Sequence, residues 1–145
     1  MKVIKKLWIW LVCISFLMIS FGCFSSEKDY RFDYEELKEK VISIEIIYLH
    51  SGENMAGAEC LAVLETEEIE PFLQEFCKFA FAEYVPPKRA EDRAVKLIYT
   101  DGSYDAISPY GGTKYNKKGE KTGHAPCPKA QQAFLDLINQ YIVEE

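Results

Sequence analysis

The chain has 145 residues, 48% of them hydrophobic, and a formal net charge of −6. That length suits one domain built around one core. The acidic balance argues against a nucleic-acid partner, whose binding depends on neutralising phosphates, and against docking on anionic lipid headgroups.

The first 26 residues follow the order of a secretory signal. Met-Lys-Val-Ile-Lys-Lys precedes an apolar run from Leu7 to Gly22, and Cys23-Phe24-Ser25-Ser26 follows it. The run makes roughly 24 Å of helix, long for a signal core and short of the about 20 residues that span a bilayer. Ser20-Phe21-Gly22-Cys23 resembles the lipobox of bacterial lipoproteins, in which a signal peptidase cuts before the cysteine and the thiol takes up a diacylglycerol. Gly22 and Cys23 match the last two positions of that motif, whereas Ser20 and Phe21 depart from its preferred branched aliphatic and small residues. The resemblance covers the targeting segment alone. It implies a signal peptide over 1–22, a lipid on Cys23 as the attachment to the membrane, and a domain on the extracytoplasmic face of the cell membrane. An uncleaved transmembrane anchor and ordinary secretion are the alternatives. Without residues 1–22, which carry three lysines and no acid, the charge falls to −9, and both tryptophans, Trp8 and Trp10, are gone. Tyrosine and phenylalanine must then supply the aromatic core.

Residues 23–38 read as a polar tether, leaving 39–145 as a single domain. Val41 to His50 is rich in β-branched residues and reads as a strand. Ser51 to Gly57 turns, and Glu59 to Glu65 returns as a second strand. A helix is expected to begin between Glu67 and Glu70, with Thr66 as a cap and Pro71 in the first turn, where a missing N–H costs nothing. Ile69, Phe72, Leu73, Phe76, Cys77 and Ala80 then form its apolar stripe. Tyr84-Val85-Pro86-Pro87 stops it.

Asp101-Gly102 sits between strand-like runs, Ala94 to Thr100 and Ser103 to Ser108, and signals a two-residue hairpin turn. That register sets Tyr99 opposite Tyr104 and Leu97 opposite Ala106 on one face, with Ile98 and Ile107 on the other. Pro109 to Pro126 reads as a loop holding at most one short strand near Thr113–Tyr115. Pro128 opens the last helix, with Ala130, Phe134, Leu137, Ile138 and Tyr141 on one face. The pattern predicts an α+β fold: a small antiparallel sheet of four to five strands with two helices packed on one face, in the order ββα-ββ(β)α. Echoes between Ile47-Tyr48 and Ile98-Tyr99, and between Pro71-Phe72-Leu73 and Ala133-Phe134-Leu135, are consistent with an internal duplication.

The chemistry-bearing residues are sparse. His124 and Cys127 have ligand-like spacing, but a structural zinc site wants four ligands, and His50 and Cys60 are the only partners elsewhere. No metal and no cofactor is therefore expected. His50 adjoins Ser51, yet neighbours on a strand point to opposite faces, so a hydrolytic pair is poorly served. Glu65, Glu67, Glu68 and Glu70 suit a helix start. Cys60, Cys77 and Cys127 are read as free thiols, with a disulfide from Cys127 to Cys60 or Cys77 as the alternative. Loop 109–126 is the one basic patch, with Lys114, Lys117, Lys118 and Lys121 beside Tyr110 and Tyr115. The expected function is a membrane-anchored, non-enzymatic binding module. It would use that loop and the nearby hairpin, with Tyr104, Tyr110, Lys114, Tyr115, Lys117 and Lys118 as its binding residues. An envelope protein or an anionic polymer would be the partner. The competing expectation is a small exported enzyme or inhibitor acting at the cell envelope.

Overall fold

The run Val-Ile-Ser-Ile-Glu-Ile-Ile-Tyr-Leu forms strand β1 (Val41–Leu49), which lies inside a six-stranded antiparallel sheet. The structure is a computed structural model that describes residues 29–49, 58–83 and 92–143. The expected signal peptide over 1–22, Cys23 and the turn from Ser51 to Gly57 lie outside the described residues, as does the expected helix stop at Tyr84–Pro87, but the helix from Thr66 already ends at Phe76, so Ala80 is not part of it. Helix α1 (Tyr34–Lys40) precedes β1, and β2 (Glu59–Val63), helix α2 (Thr66–Phe76) and the short β3 (Phe81–Ala82) follow it. Next come β4 (Asp92–Tyr99), β5 (Tyr104–Ser108), β6 (Gly111–Tyr115), β7 (Lys121–Ala125), the short β8 (Cys127–Pro128) and helix α3 (Gln131–Asn139). The large sheet has the order β2-β1-β4-β5-β6-β7, and β3 pairs with β8 in a small second sheet.

The core lies between one face of the large sheet and the helices. Ile44, Ile46, Val95, Leu97 and Ile107 project from the strands to meet Phe72, Leu73 and Phe76 of α2 and Phe134, Leu137 and Ile138 of α3. Phe72, Phe76, Phe81 and Phe134 are fully buried, so phenylalanine supplies most of the aromatic interior. β1 carries an irregularity near its start, between Val41 and Ser43 in its pairing with β4, and from Ile44 onward its side chains alternate between the two faces of the sheet. Ile46 joins the main core, and Ile47 packs with Ala94 and Ala106 in a second, smaller cluster.

Several expectations are corrected, beginning with the helices, of which the described residues form three in place of two, because the segment before β1 folds as α1. The fold class is α+β as expected, but the sheet has six strands in place of four to five, because the segment read as loop 109–126 is a β-hairpin. Two features build it. Asn116 holds the turn, its side-chain oxygen accepting from the N–H of Lys118 (2.9 Å) and of Glu120 (3.0 Å), and Gly119 takes φ +79°. Gly112 allows β7 to approach, since a Cβ there would meet Ala125 Cβ at 2.8 Å.

The register of the Asp101-Gly102 hairpin is one residue off the expected one. Tyr99 N–H donates to Ser103 O (2.9 Å) and Ile98 pairs with Tyr104, so three residues, Thr100 to Gly102, form the loop. Gly102 sits at φ +85°, the left-handed position that a three-residue loop needs. A one-residue slip exchanges faces on one strand. Tyr99 therefore shares the core-side face with Leu97, Asp105 and Ile107, while Tyr104 points to the opposite side.

Helix α2 starts earlier than expected. The Glu68 carboxylate accepts from the N–H of Glu65 (2.9 Å), which makes Glu65, not Thr66, the N-cap. Pro71 thus falls inside the helix, beyond the first turn. Pro128 lies in β8, and α3 begins three residues later, at Gln131. From Asp29 onward the expected tether is part of the fold. Tyr30 and Phe81 exchange backbone hydrogen bonds (2.9 and 2.8 Å), and Phe32 packs edge-on to Phe81 at 4.9 Å.

Candidate functional site

Helices α2 and α3 do not cover the whole core-side face of the sheet. The β6 and β7 positions on that face are Gly112, Lys114, Gly123 and Ala125, which offer little apolar surface for a helix. The end they leave is roofed by α1 and the residues before it. A cavity of about 490 Å³ remains between them, within the usual range of small-molecule sites.

Helix α1 is divided by its sequence. Asp33 caps it, its carboxylate accepting from the Glu36 N–H at 2.8 Å. Tyr34 and Lys38 turn to α2, where both donate to the Glu70 carboxylate (2.8 and 2.9 Å). Leu37 enters the core, and Glu36 and Lys40, four residues apart and ion-paired, border the cavity. Lys40 O also accepts from the Thr100 N–H (2.9 Å), tying α1 to the β4–β5 hairpin.

The floor holds the most unusual group in the described residues. Asp105 is only 7% exposed. Its Oδ2 accepts from the Tyr99 hydroxyl at 2.8 Å, and among the described residues the other oxygen makes no hydrogen bond. Burial holds the Asp105 carboxyl above the ordinary carboxylate range, partly offset by the Tyr99 hydrogen bond and the charge of Lys114. Burial, followed by the charge of Asp105, pushes the Tyr99 phenol up, so it stays a donor. Lys114 lies directly opposite Asp105 in the β5–β6 register. Tyr30 completes the wall, its hydroxyl also raised, first by burial and then by Glu36 and Asp105.

The expected binding residues do not form one surface. Lys114 faces the cavity. Tyr104 and Tyr115 stack on each other with centroids 5.0 Å apart on the opposite face, although Tyr115 also borders the cavity rim. Lys96 lies 4.9 Å from the Tyr104 ring and pairs with Glu45 at 2.8 Å, closing that row of side chains. Tyr110 sits in the β5–β6 turn, its N–H donating to Ser108 Oγ (3.2 Å). Lys117 and Lys118 occupy the β6–β7 turn at the other end of β6. Five strand residues separate the two ends by about 17 Å. The Asp101-Gly102 tip does reach the basic turn, since a Cβ on Gly102 would meet Lys117 Cβ at 3.2 Å.

His124 and Cys127 do not converge: His124 is exposed on β7, and Cys127 is buried in β8. Among the described residues no cluster of three or more His, Cys, Asp or Glu is placed to hold a metal ion. Cys60 is exposed and Cys77 half-buried, and Cys60, Cys77 and Cys127 form no disulfide with one another. Burial, followed by the nearby Asp33, pushes the Cys77 thiol up to about 11, which keeps it protonated and unreactive. Among the described residues no helix is long and apolar enough to cross a membrane.

Sequence reasoning missed Asp105 and Tyr99 as a pair because the expected register put them on opposite faces. An aspartate inside a strand was the available signal, since aspartate is depleted in strands unless a partner holds it. No family model, no curated protein and no solved structure matches the chain.

Proposed function

We propose that the protein is a lipid-anchored, extracytoplasmic, non-enzymatic binding module whose ligand site is the cleft over Asp105. The single observation that carries the binding site is the buried Asp105 carboxylate, one oxygen held by Tyr99 and the other left for a ligand beside a 490 Å³ cavity. The other carboxylates at the cleft are engaged: Asp33 caps α1, Glu36 pairs with Lys40, and Asp101 holds the Ser103 N–H at 2.8 Å. Such an arrangement suits holding a ligand rather than turning one over. The anchoring half of the proposal rests on the leader and on Gly22-Cys23. Two acyl chains on one cysteine would anchor stably, leaving the domain free of any membrane-binding duty. Relative to the expected loop, the proposal keeps Lys114 and the rim residue Tyr115. Tyr110 belongs to another end of the sheet.

Two measurements test this. The intact mass of the chain purified from membranes should correspond to a diacylated protein starting at Cys23. A product retaining residues 1–22 refutes the anchor. Small-molecule screening by two-dimensional NMR on the full chain should shift the signals of Tyr99, Asp105 and Lys114 together. Hits that move only Tyr104 and Tyr110 would place the site elsewhere.

A further inference from the structure

We infer that the cleft takes a small organic ammonium ion, which donates an N–H to the unengaged oxygen of Asp105 and lays its apolar part against Tyr30, Phe32 and Tyr99. This rests on the cleft being the ligand site and adds the ligand's chemical class.

Asp105 sets the requirement. A carboxylate 7% exposed, with one oxygen lacking a hydrogen bond among the described residues, needs a donor. A charged donor offsets the buried negative charge as well as filling the hydrogen bond. Tyr99 cannot shift away to serve both oxygens, because its ring is fixed by β4 and its hydroxyl is already committed to Oδ2. The rest of the wall also suits a cation. Tyr30 and Phe32 stand edge-to-face with centroids 5.1 Å apart, offering ring surface of the kind that attracts alkylammonium groups. Four carboxylates border the cavity, Asp33, Glu36, Asp101 and Asp105, against two lysines, Lys40 and Lys114. The chain's net charge of −6 steers cations toward it.

Other ligand classes fit less well. An anion would meet the Asp105 charge in a desolvated site. A hard metal ion takes six or more oxygen ligands or keeps its water, and Asp105 alone does not provide that shell. A neutral alcohol could fill the hydrogen bond but would leave the charge uncompensated. Lys114, opposite Asp105 on β6, is a competing cation whose charge acts on that carboxylate.

The test uses the full chain in detergent and three matched probes: phenethylamine, 2-phenylethanol and phenylacetate. Two-dimensional NMR follows the backbone signals of Tyr99, Ser103, Asp105 and Lys114. Phenethylamine should shift them saturably, at least tenfold more tightly than 2-phenylethanol, with phenylacetate weakest. Asp105→Asn should weaken phenethylamine at least tenfold and leave 2-phenylethanol within twofold. Lys114→Gln, an exposed change that spares the core, should tighten phenethylamine about two- to threefold. Equal or tighter binding of the alcohol or the acid at these residues overturns the ammonium inference while the cleft stands as a ligand site. So does weaker phenethylamine binding in Lys114→Gln. If none of the probes moves a cleft signal at 20 mM (about the weakest affinity such a fragment should show), both readings fall.

Discussion

Replacing Tyr99 by phenylalanine isolates the hydrogen bond that supports Asp105 inside the fold. The ring stays, so packing is preserved and only the hydroxyl at 2.8 Å from Asp105 Oδ2 is lost. Among the described residues, no other hydrogen bond to the carboxylate remains. A hydrogen bond to a charged group is worth about 1.5–3 kcal/mol, and a buried partner left unsatisfied puts the cost in that range. At about 4 °C per kcal/mol for a domain of this size, Tm should fall by about 6–12 °C at pH 7. The pH dependence supplies a second check. Asp105 has a folded pKa above its unfolded value, so the folded chain holds the extra proton. Its contribution to stability is therefore most favourable at acid pH and declines as pH rises from 3.8 through the raised folded value. The Tyr99 hydroxyl opposes this by favouring the ionised carboxylate, as does Lys114. Without the hydroxyl the carboxyl titrates higher still. The penalty for Tyr99→Phe is then largest while Asp105 is ionised and shrinks to about 1 kcal/mol as pH falls and Asp105 is protonated. Thermal unfolding of the wild type, Tyr99→Phe, Asp105→Asn and the double variant between pH 4 and 8 measures all of this. Asp105→Asn removes the buried charge, so Tyr99→Phe should cost no more than about 1 kcal/mol in that background. A Tyr99→Phe penalty below 0.5 kcal/mol, or one equally large at pH 4 and 8, would refute the reasoning.

Other expectations follow from packing. Gly112→Ala should cost about 1–3 kcal/mol by pushing β7 from β6, because the added carbon would lie 2.8 Å from Ala125 Cβ and O and 2.9 Å from Pro126 O; calorimetry reads it, and an unchanged Tm would mean β7 yields freely. Phe134→Ala should cost about 3–5 kcal/mol, a large share of a typical total stability, since its ring meets Phe76, Phe79 and Phe81 at 5.4–6.2 Å. Denaturant unfolding tests it. Gly102→Ala should cost about 1–2 kcal/mol through its φ of +85°, with the β4–β5 hairpin amides exchanging faster in the variant. Exchange at the wild-type rate would show that the turn tolerates a side chain.

Local patterns in the sequence determined the layers of this domain. β-Branched runs specified β1 and β4, and apolar residues at helical spacing specified the buried faces of α2 and α3. A core lacking tryptophan had to be built on phenylalanine. The proposed leader, with its lysines and Gly22-Cys23, rests on sequence alone, because an export signal is read as a linear segment. The site was not legible in the same way. Whether Tyr99 faces the core or the open side depended on one residue of register, settled by Gly102 in the left-handed region and by the Tyr99–Ser103 hydrogen bond. Segment 109–126 looked like a loop because its Gly, Pro, Asn and Lys residues carry weak strand propensity. Its hairpin exists because Asn116 organises the turn and β5 offers an unpaired edge. Tyr30 and Phe32 looked like tether residues until Phe81 gave them a partner 49 residues or more away. Strand propensity and helical period are properties of neighbours in the chain. A buried carboxylate, the phenol that supports it and the helix that roofs it come from three elements, and only tertiary packing brings them to one place.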